Sequence, residues 1–483
     1  MQNTIRFVLD NKIVDVNFAE FPELKPTTTV LNYLRWLPTH KGVKEGCGEG
    51  DCGACTVVIA EPDNDGKLIY TTIDSCLVFL PMIHGKQLIT IENLATDRNR
   101  EQVLHPVQQT MVETNGSQCG YCTPGIVMSL FGLYKNHNNP SREIIYDALT
   151  GNLCRCTGYQ PIVEAAEKAC SLRGKDHFSE YENAILTLLQ EINSNHDSLG
   201  LITEKQKYFK PFTYQQALRL REENPNAIII NGSTDVALRQ TKKKELLSEI
   251  LDLSGVTEIK TFREEDNCFV FGAGSSLEQL RKFSENKLPA LHEMLNVFGS
   301  LQIRNVATIG GNIGSASPIG DMLPLLFAHG ASVKLNSSSA ERIVAIEDFI
   351  QGYRKTALAD NELITEVIIP VPDDESQLRA YKVSKRKDLD ISTVCAAFRL
   401  KLDKETVTEI VLAYGGMAAT TKHATNTENF LAGKEWSRQN VEAAMQILTN
   451  EFAPISDARS EAQFRTTASR NLLLKFYAET KTN

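Results

Sequence analysis

The 483-residue sequence has no apolar run approaching the ~18 residues that a membrane helix needs. Its opening, Met-Gln-Asn-Thr-Ile-Arg-Phe, lacks a basic segment followed by an apolar one, so no secretion signal is visible and a cytoplasmic location is expected. Positive charge is not in excess: 51 Lys and Arg stand against 60 Asp and Glu, a net charge of −9 that disfavours a general grip on nucleic acid. There is no internal repeat and no long low-complexity tract. No Gly-x-Gly-x-x-Gly opens a helix after a strand; Phe271-Gly272-Ala273-Gly274-Ser275-Ser276-Leu277 lacks the third glycine and reads as a strand-end turn. Nor does any nucleophile triad or acid/base pair stand out. What remains is ordinary soluble material, 42% hydrophobic and 23% charged, which excludes disordered, collagen-like and small disulfide-stapled chains. The length suggests about three or four compact units.

Local patterns sketch the order of elements. Ile5–Leu9 and Lys12–Val16 flank Asp10-Asn11 as a β-hairpin. A helix is expected from Thr27–Thr29 to Pro38, and strands at Thr56–Ala60 and near Leu77–Phe79. Three helices follow. One runs from Thr123-Pro124 and stops before Asn138, one from Ser141 to a helix-stop Gly151, and one opens at Pro161. Residues 171–207 are mostly polar and read as a connector around one short amphipathic helix near Ile185–Ile192. Beyond Pro211 strands alternate with helices; Ala227–Ile230, Phe269–Phe271 and Glu366–Ile369 read as strands, the first of them buried.

The cysteines carry the chemistry. Of eleven, eight fall in four short clusters before residue 157, and in a chain without a secretion signal clustered thiols bind metal more often than they form disulfides. Cys47, Cys52, Cys55 and Cys76 have the C-x4-C-x2-C…C spacing of a plant-type 2Fe–2S ferredoxin. Gly46, Gly48, Gly50 and Gly53 let the backbone wrap three thiolates closely, with N–H groups free to face sulfur. Zinc, which prefers paired ligands two to four residues apart, fits this loop less well. Cys119-x2-Cys122 and Cys154-x-Cys156 form the second set; on spacing alone they suit zinc and iron–sulfur equally. Cys170, Cys268 and Cys395 stand alone and read as buried small hydrophobes. Two loops elsewhere, Asn231-Gly232-Ser233-Thr234-Asp235-Val236 and Ala307–Asp321, offer the glycines and donors that a pyrophosphate requires, although each by itself is also an ordinary turn.

Taken in tandem, Gly46–Val57, Gln118–Gly125 and Gly151–Pro161 resemble the iron–sulfur segment of the molybdenum hydroxylases, the family of xanthine dehydrogenase, aldehyde oxidase and carbon monoxide dehydrogenase. Pro211 to Lys475 resembles that family's flavin domain. The resemblance implies an α+β multidomain fold: a β-grasp 2Fe–2S ferredoxin domain (1–90), a four-helix 2Fe–2S domain (91–170), a linker (171–207), an α+β FAD-binding domain (208–375) and a C-terminal α/β subdomain (376–483). It implies two 2Fe–2S clusters, on Cys47, Cys52, Cys55 and Cys76 and on Cys119, Cys122, Cys154 and Cys156. FAD would rest on Ile229, Ile230, Asn231, Gly232, Ser233, Thr234, Asp235 and Val236, on Thr308, Gly311 and Asn312, and on Phe298, Asp321, Ile364 and Lys382. The Ser384–Ile391 charge run, with Arg386, Asp388 and Asp390, resembles the loop where NAD approaches; a solvated turn is the plainer reading. Gln118 and Cys156 would lie nearest a molybdopterin. The family's long molybdopterin-binding region does not follow in this sequence, so the implied partner is a large molybdopterin-binding subunit, in a heterotetramer of two small and two large subunits. The implied activity is that of the small subunit of a xanthine dehydrogenase (hypoxanthine and xanthine to urate, purine catabolism), with no catalytic residue in this chain because the flavin performs hydride transfer.

Overall fold

A computed structural model describes residues 1–98 and 101–481. The chain divides into two compact units, Met1–Val256 with Gly299–Ala307, and Thr257–Phe298 with Thr308–Asn483.

The first unit opens with the expected hairpin, Thr4–Leu9 against Lys12–Asn17, its turn residues Asp10 and Asn11 both at positive φ. These strands enter a five-stranded sheet in the order Lys12–Asn17, Thr4–Leu9, Gln87–Ile89, Thr56–Pro62, Leu68–Asp74. Only the pairing of Thr4–Leu9 with Gln87–Ile89 is parallel. The central strands Thr4–Leu9 and Gln87–Ile89, and residues 56–60 of Thr56–Pro62, are buried toward both faces, so they read as apolar runs rather than alternations. Phe7, Val57 and Ile59 face one core with the helix Val30–Trp36, which Thr29 caps. Val8, Val58 and Ala60 face another, built from the helices Pro106–Glu113, Thr123–Asn136, Arg142–Leu149 and Gln160–Ser171. A second, smaller sheet orders Ile228–Ile230, Glu249–Asp252, Lys207–Lys210 and Leu199–Ile202, the first three parallel.

Several sequence expectations change here. Leu77–Phe79 is not a strand but a turn leading into the short helix Leu80–Ile83; Phe79 makes only an isolated bridge to Thr29. Gly151 does not stop its helix through a left-handed turn. Its bare Cα instead makes room for Gln302, whose Oε1 would lie 2.3 Å from an added Cβ. Ile228–Ile230 is an edge strand, so only Ile230 of the three is fully buried. The polar stretch 171–207 holds a 17-residue helix, His177–Asn193, whose Phe178, Ile185, Leu189 and Ile192 complete the helical core, and then the strand Leu199–Ile202. Its polarity is that of an amphipathic surface helix with one apolar stripe.

The second unit carries two larger antiparallel sheets and the two-stranded ribbon of Ile350–Gly352 with Lys355–Thr356. One orders Phe262–Glu265, Cys268–Gly272, Leu363–Pro370, Ser332–Asn336 and Glu341–Ala345. The other orders Gln377–Val383, Val394–Asp403, Thr406–Gly415 and Lys422–His423, with the helices Thr425–Leu431, Arg438–Leu448 and Ala462–Thr480 closing its core. Cys170 and Cys395 are buried as expected; Cys268 is only half-buried.

What fixes the helix His177–Asn193 on the first unit is a buried charge network at its N-cap. Asp176 accepts from Ser179 N (2.9 Å), Lys135 Nζ lies 3.1 Å from Asp176 Oδ1, and His105 Nε2 lies 3.2 Å from Oδ2. His105 Nδ1 accepts from Val107 N, so Nε2 bears the proton it donates. The Asp176 and Lys135 side chains are 4% and 9% exposed. Burial alone would push the Asp176 carboxyl up, but His105, Lys135 and Ser179 outweigh it and hold it well below the usual carboxylate range. Asp176→Ala strands Lys135 without its counter-charge and should cost about 3–5 kcal/mol in urea unfolding. Because the folded pKa is depressed, this contribution is present above the unfolded carboxylate value, about pH 4, and is lost as pH falls below it. The gap in stability between wild type and variant should therefore narrow on acidification; a constant gap would count against the network.

Candidate redox centres

The first thiol set sits on the loop between Pro38 and the strand Thr56–Pro62, with Cys76 on the turn after Leu68–Asp74. The thiols meet in pairs. Cys55 Sγ lies 3.4 Å from Cys76 Sγ, both buried, and the half-buried Cys47 and Cys52 bond to one another. Glu49 N and Asp51 N point at Cys47 Sγ (3.4 and 3.3 Å). The bond from Cys52 and these N–H groups bring the Cys47 thiol down to about 5, while the bond to Cys76 and burial push the Cys55 thiol well up. Behind them Asp74, fully buried, is pushed up by burial and by the charge of Cys47.

The second set is built at helix starts. Cys119 and Cys122 lead into Thr123–Asn136, with Cys122 at the N-cap, and Cys154 and Cys156 precede Gln160–Ser171. Again the thiols pair, Cys119 with Cys156 and Cys122 with Cys154. The outer pair is exposed and the inner pair half-buried. Among the described residues no three Cys, His, Asp or Glu side chains converge as around a single metal ion. Two pairs per set is the donor arrangement of two metal atoms, each taking two thiolates, as a 2Fe–2S cluster demands and a single tetrahedral zinc does not. Arg155, between two of these cysteines, is exposed.

Both sets belong to one unit and touch. Leu153 N donates to Cys52 O (3.0 Å), and Tyr121 Oη donates to Glu45 O (2.5 Å). Gly53, at φ +66°, has room for no Cβ, which would fall 2.3 Å from Gly151 O. Lys242 adds a third restraint, donating to Cys47 O (3.0 Å) and pairing with Glu49 (3.1 Å). Sequence inspection passed over Tyr121, Asn152 and Lys242; only the first two lay in a quoted motif, and Lys242 carried no signal.

The flavin candidates divide between the units. In the first, Ile229 and Ile230 end an edge strand, Asn231–Asp235 turn, and Val236 starts the helix Val236–Thr241. Gly232 is pressed against the chain at Val306, where a Cβ would sit 1.7 Å from the carbonyl oxygen; Ser233, next to it, holds positive φ and donates to Leu77 O. In the second unit Thr308 caps the short helix Ile309–Gly314 by accepting from Gly311 N (3.1 Å). Asn312 Oδ1 is buried without a partner, and Ile364 Cδ1 would lie 3.4 Å from a Cβ at Gly314. Lys382 Nζ pairs with Asp321 (2.7 Å) and lies 6.0 Å from the Phe298 ring, and Ser392 donates to the same carboxylate (2.5 Å). In the second unit, the unpartnered Asn312 Oδ1 offers a dinucleotide one acceptor. In the charged loop Arg386 N and Nε both bond to Asp390 (2.7 Å each), and Asp390 N donates to Asp388 O (2.8 Å), so Arg386 and Asp390 neutralise one another.

Comparison with known proteins agrees with this geometry. Residues 90–167 match a [2Fe-2S] binding domain, 203–372 the FAD binding domain in molybdopterin dehydrogenase, and 379–480 the CO dehydrogenase flavoprotein C-terminal domain. Xanthine dehydrogenase of Emericella nidulans is 33% identical over 93% of this chain and 36% of its own length; xanthine dehydrogenase/oxidase of Gallus gallus is 32% identical over 98% and 39%. The chain thus spans under two-fifths of those relatives. Among solved structures, the reconstituted CO dehydrogenase from Oligotropha carboxidovorans matches with TM-score 0.54 and 26% identity, over 58% of this chain and 98% of that one. Among the described residues no helix is long and apolar enough to cross a membrane. With its [2Fe-2S] and FAD-binding domains and its flavoprotein C-terminal domain, the chain belongs to the molybdenum hydroxylase family.

Proposed function

We propose that the chain is the electron-transfer component of a cytoplasmic xanthine dehydrogenase. It passes electrons from a molybdenum centre in a large partner subunit through two 2Fe–2S clusters to FAD and then NAD, within an assembly of two small and two large subunits. Bound clusters supply one-electron relays, and bound flavin supplies two-electron exchange with a nicotinamide. The observation that carries the reading is the pair of thiol sets joined within one unit, one set with an exposed edge and the other half-buried to buried.

Each part of the chain then has a task. Cys47, Cys52, Cys55 and Cys76 hold the first cluster, and Glu49 N and Asp51 N supply hydrogen bonds to sulfur that favour its reduced form. Cys119, Cys122, Cys154 and Cys156 hold the second. Its outer edge, with exposed Cys119, Cys156, Gln118, Tyr121 and Leu153, is the face offered to the partner, where apolar and aromatic side chains would be covered on assembly. Asn231–Asp235 in the first unit and Thr308–Asn312 in the second are each candidate flavin contacts. Lys382, Asp321 and Phe298 line the flavin, and Arg386, Asp388 and Asp390 border the nicotinamide. In domain terms, 1–90 and 91–170 serve the clusters, 208–375 and 376–483 the flavin, and 171–207 joins them.

The substrate assignment rests on likeness to xanthine dehydrogenases along almost the whole chain. A second reading, favoured by the flavin-half likeness to CO dehydrogenase, keeps the cofactors and changes the partner's substrate to an aldehyde or N-heterocycle, or the acceptor to one other than NAD.

Three outcomes are expected. The complex purified with its co-expressed large subunit should reduce NAD with xanthine and form urate; oxidation of an aldehyde alone, or no flavin bleaching by NADH, would favour the second reading. Cys119→Ser and Cys76→Ser should each remove one of two distinct iron–sulfur EPR signals and leave the other; loss of both from either variant would contradict separate sites. Gly232→Ala, which forces a methyl into Val306 O and costs about 1–3 kcal/mol of local strain, should empty the protein of flavin while iron content stays at the wild-type value.

A further inference from the structure

One buried amide sits where the two cysteine loops meet. Asn152 Nδ2 donates to Gly53 O and to Thr56 Oγ1 (3.1 Å each), and its Oδ1 accepts from Ser129 Oγ (2.6 Å) and Gln302 Nε2 (2.9 Å). Each partner reaches a different part of the two centres. Gly53 lies between Cys52 and Cys55, Thr56 directly follows Cys55, Ser129 is on the helix that Cys122 caps, and Asn152 itself is two residues ahead of Cys154. The next residue, Leu153, makes the backbone bond to Cys52 O. Asn152 is 2% exposed, Ser129 1%, Thr56 2% and Gln302 0%.

Gln302 comes from a segment remote in sequence from both cysteine loops. Its helix, Leu301–Val306, is capped by Ser300 and anchored by Arg304 Nη2 on both oxygens of Asp147 (2.6 and 2.8 Å). So held, Gln302 Nε2 bridges Asn152 Oδ1 and Ser129 Oγ (3.0 Å), while Oε1 rests over Gly151 without a partner. A segment within the stretch matched by the FAD-binding family model thereby braces the join between the thiol sets.

We infer that Asn152 and Gln302 are positioning residues that set the spacing and orientation of the two thiol sets. Asn152 has every donor and acceptor used, which fixes its rotamer and hence the register of Gly53 against Leu153. Removing Gln302 takes away the brace and leaves Asn152 Oδ1 with Ser129 alone. Groups that orient metal ligands in this way typically carry about 10- to 100-fold in metal affinity or activity. The inference rests on the electron-transfer reading above.

The test uses the full chain carrying both clusters and compares wild type with Gln302→Leu, Ser129→Ala and, as a control on the same helix, Asn305→Ala. The readouts are the magnetic splitting between the two reduced clusters by EPR, their two midpoint potentials, and the rate of iron loss to a chelator. Gln302→Leu should keep both clusters but lose the native splitting, shift the potentials and release iron about tenfold faster. Ser129→Ala should do the same more weakly, and Asn305→Ala should match wild type. Native splitting and potentials in Gln302→Leu overturn the inference, as does an equal change in Asn305→Ala, which would mark generic loosening of the helix. If Gln302→Leu fails to assemble, Ser129→Ala decides: unchanged splitting overturns, altered splitting supports. A wild-type protein without iron would overturn the electron-transfer reading itself, an outcome distinct from two uncoupled variants.

Discussion

The constraint on which the first unit turns is the crowding of thiols that repel when charged. Two thiolates at the 3.4 Å separation of Cys55 and Cys76 would repel by about 5 kcal/mol at an effective dielectric near 20. In the first set the thiols keep their protons: the bond to Cys76 and burial push Cys55 well up, and of these four only Cys47, facing Cys52 and two N–H groups, is drawn down. Metal must therefore displace protons on entry, and binding is coupled to pH and to the order already present in the loops. Since the thiols resist one another, their placement has to come from elsewhere. It comes from the glycine-rich backbone, from the helix starts under Cys122 and Gln160, and from the bonds between loops.

Those bonds join the two centres into one object. A sheet whose central strands are buried on both faces sits beneath the first, and the helices packed on one of those faces carry the second, so a shift of either loop must move a close-packed core. The gradient from exposed Cys119 and Cys156, through half-buried Cys122, Cys154, Cys47 and Cys52, to buried Cys55 and Cys76 follows from this stacking.

Legibility in the sequence tracked how local each signal was. The Asp10-Asn11 turn and the start of a helix at Ser141 are decided within a few residues, and the structure has them where the sequence puts them. Leu77–Phe79 misled because an apolar triplet buries equally well in a turn beneath a helix. In the polar stretch 171–207 the amphipathic helix near Ile185–Ile192 was legible, but its start at His177 and the docking of Phe178 into the helical core were not. Gly151 looked like a helix stop, and its actual neighbour is Gln302. No window of sequence contains both, and the same distance in chain hides Lys242 beside Cys47 and Arg304 beside Asp147.

In the second unit, charges near the flavin candidates are matched before any ligand arrives. Lys382 is paired with Asp321, which also takes the Ser392 hydroxyl, and Arg386 closes on Asp390. A free lysine would attract any anion; a buried, paired one is held in a single position and contributes shape and a directed dipole. Among the flavin candidates of this unit, Asn312 keeps a buried Oδ1 without a partner. Such a site selects by geometry rather than by net charge, and the ordering cost of binding falls because the side chains are already fixed. That accords with a chain whose overall charge is negative while its candidate ligand is an anion.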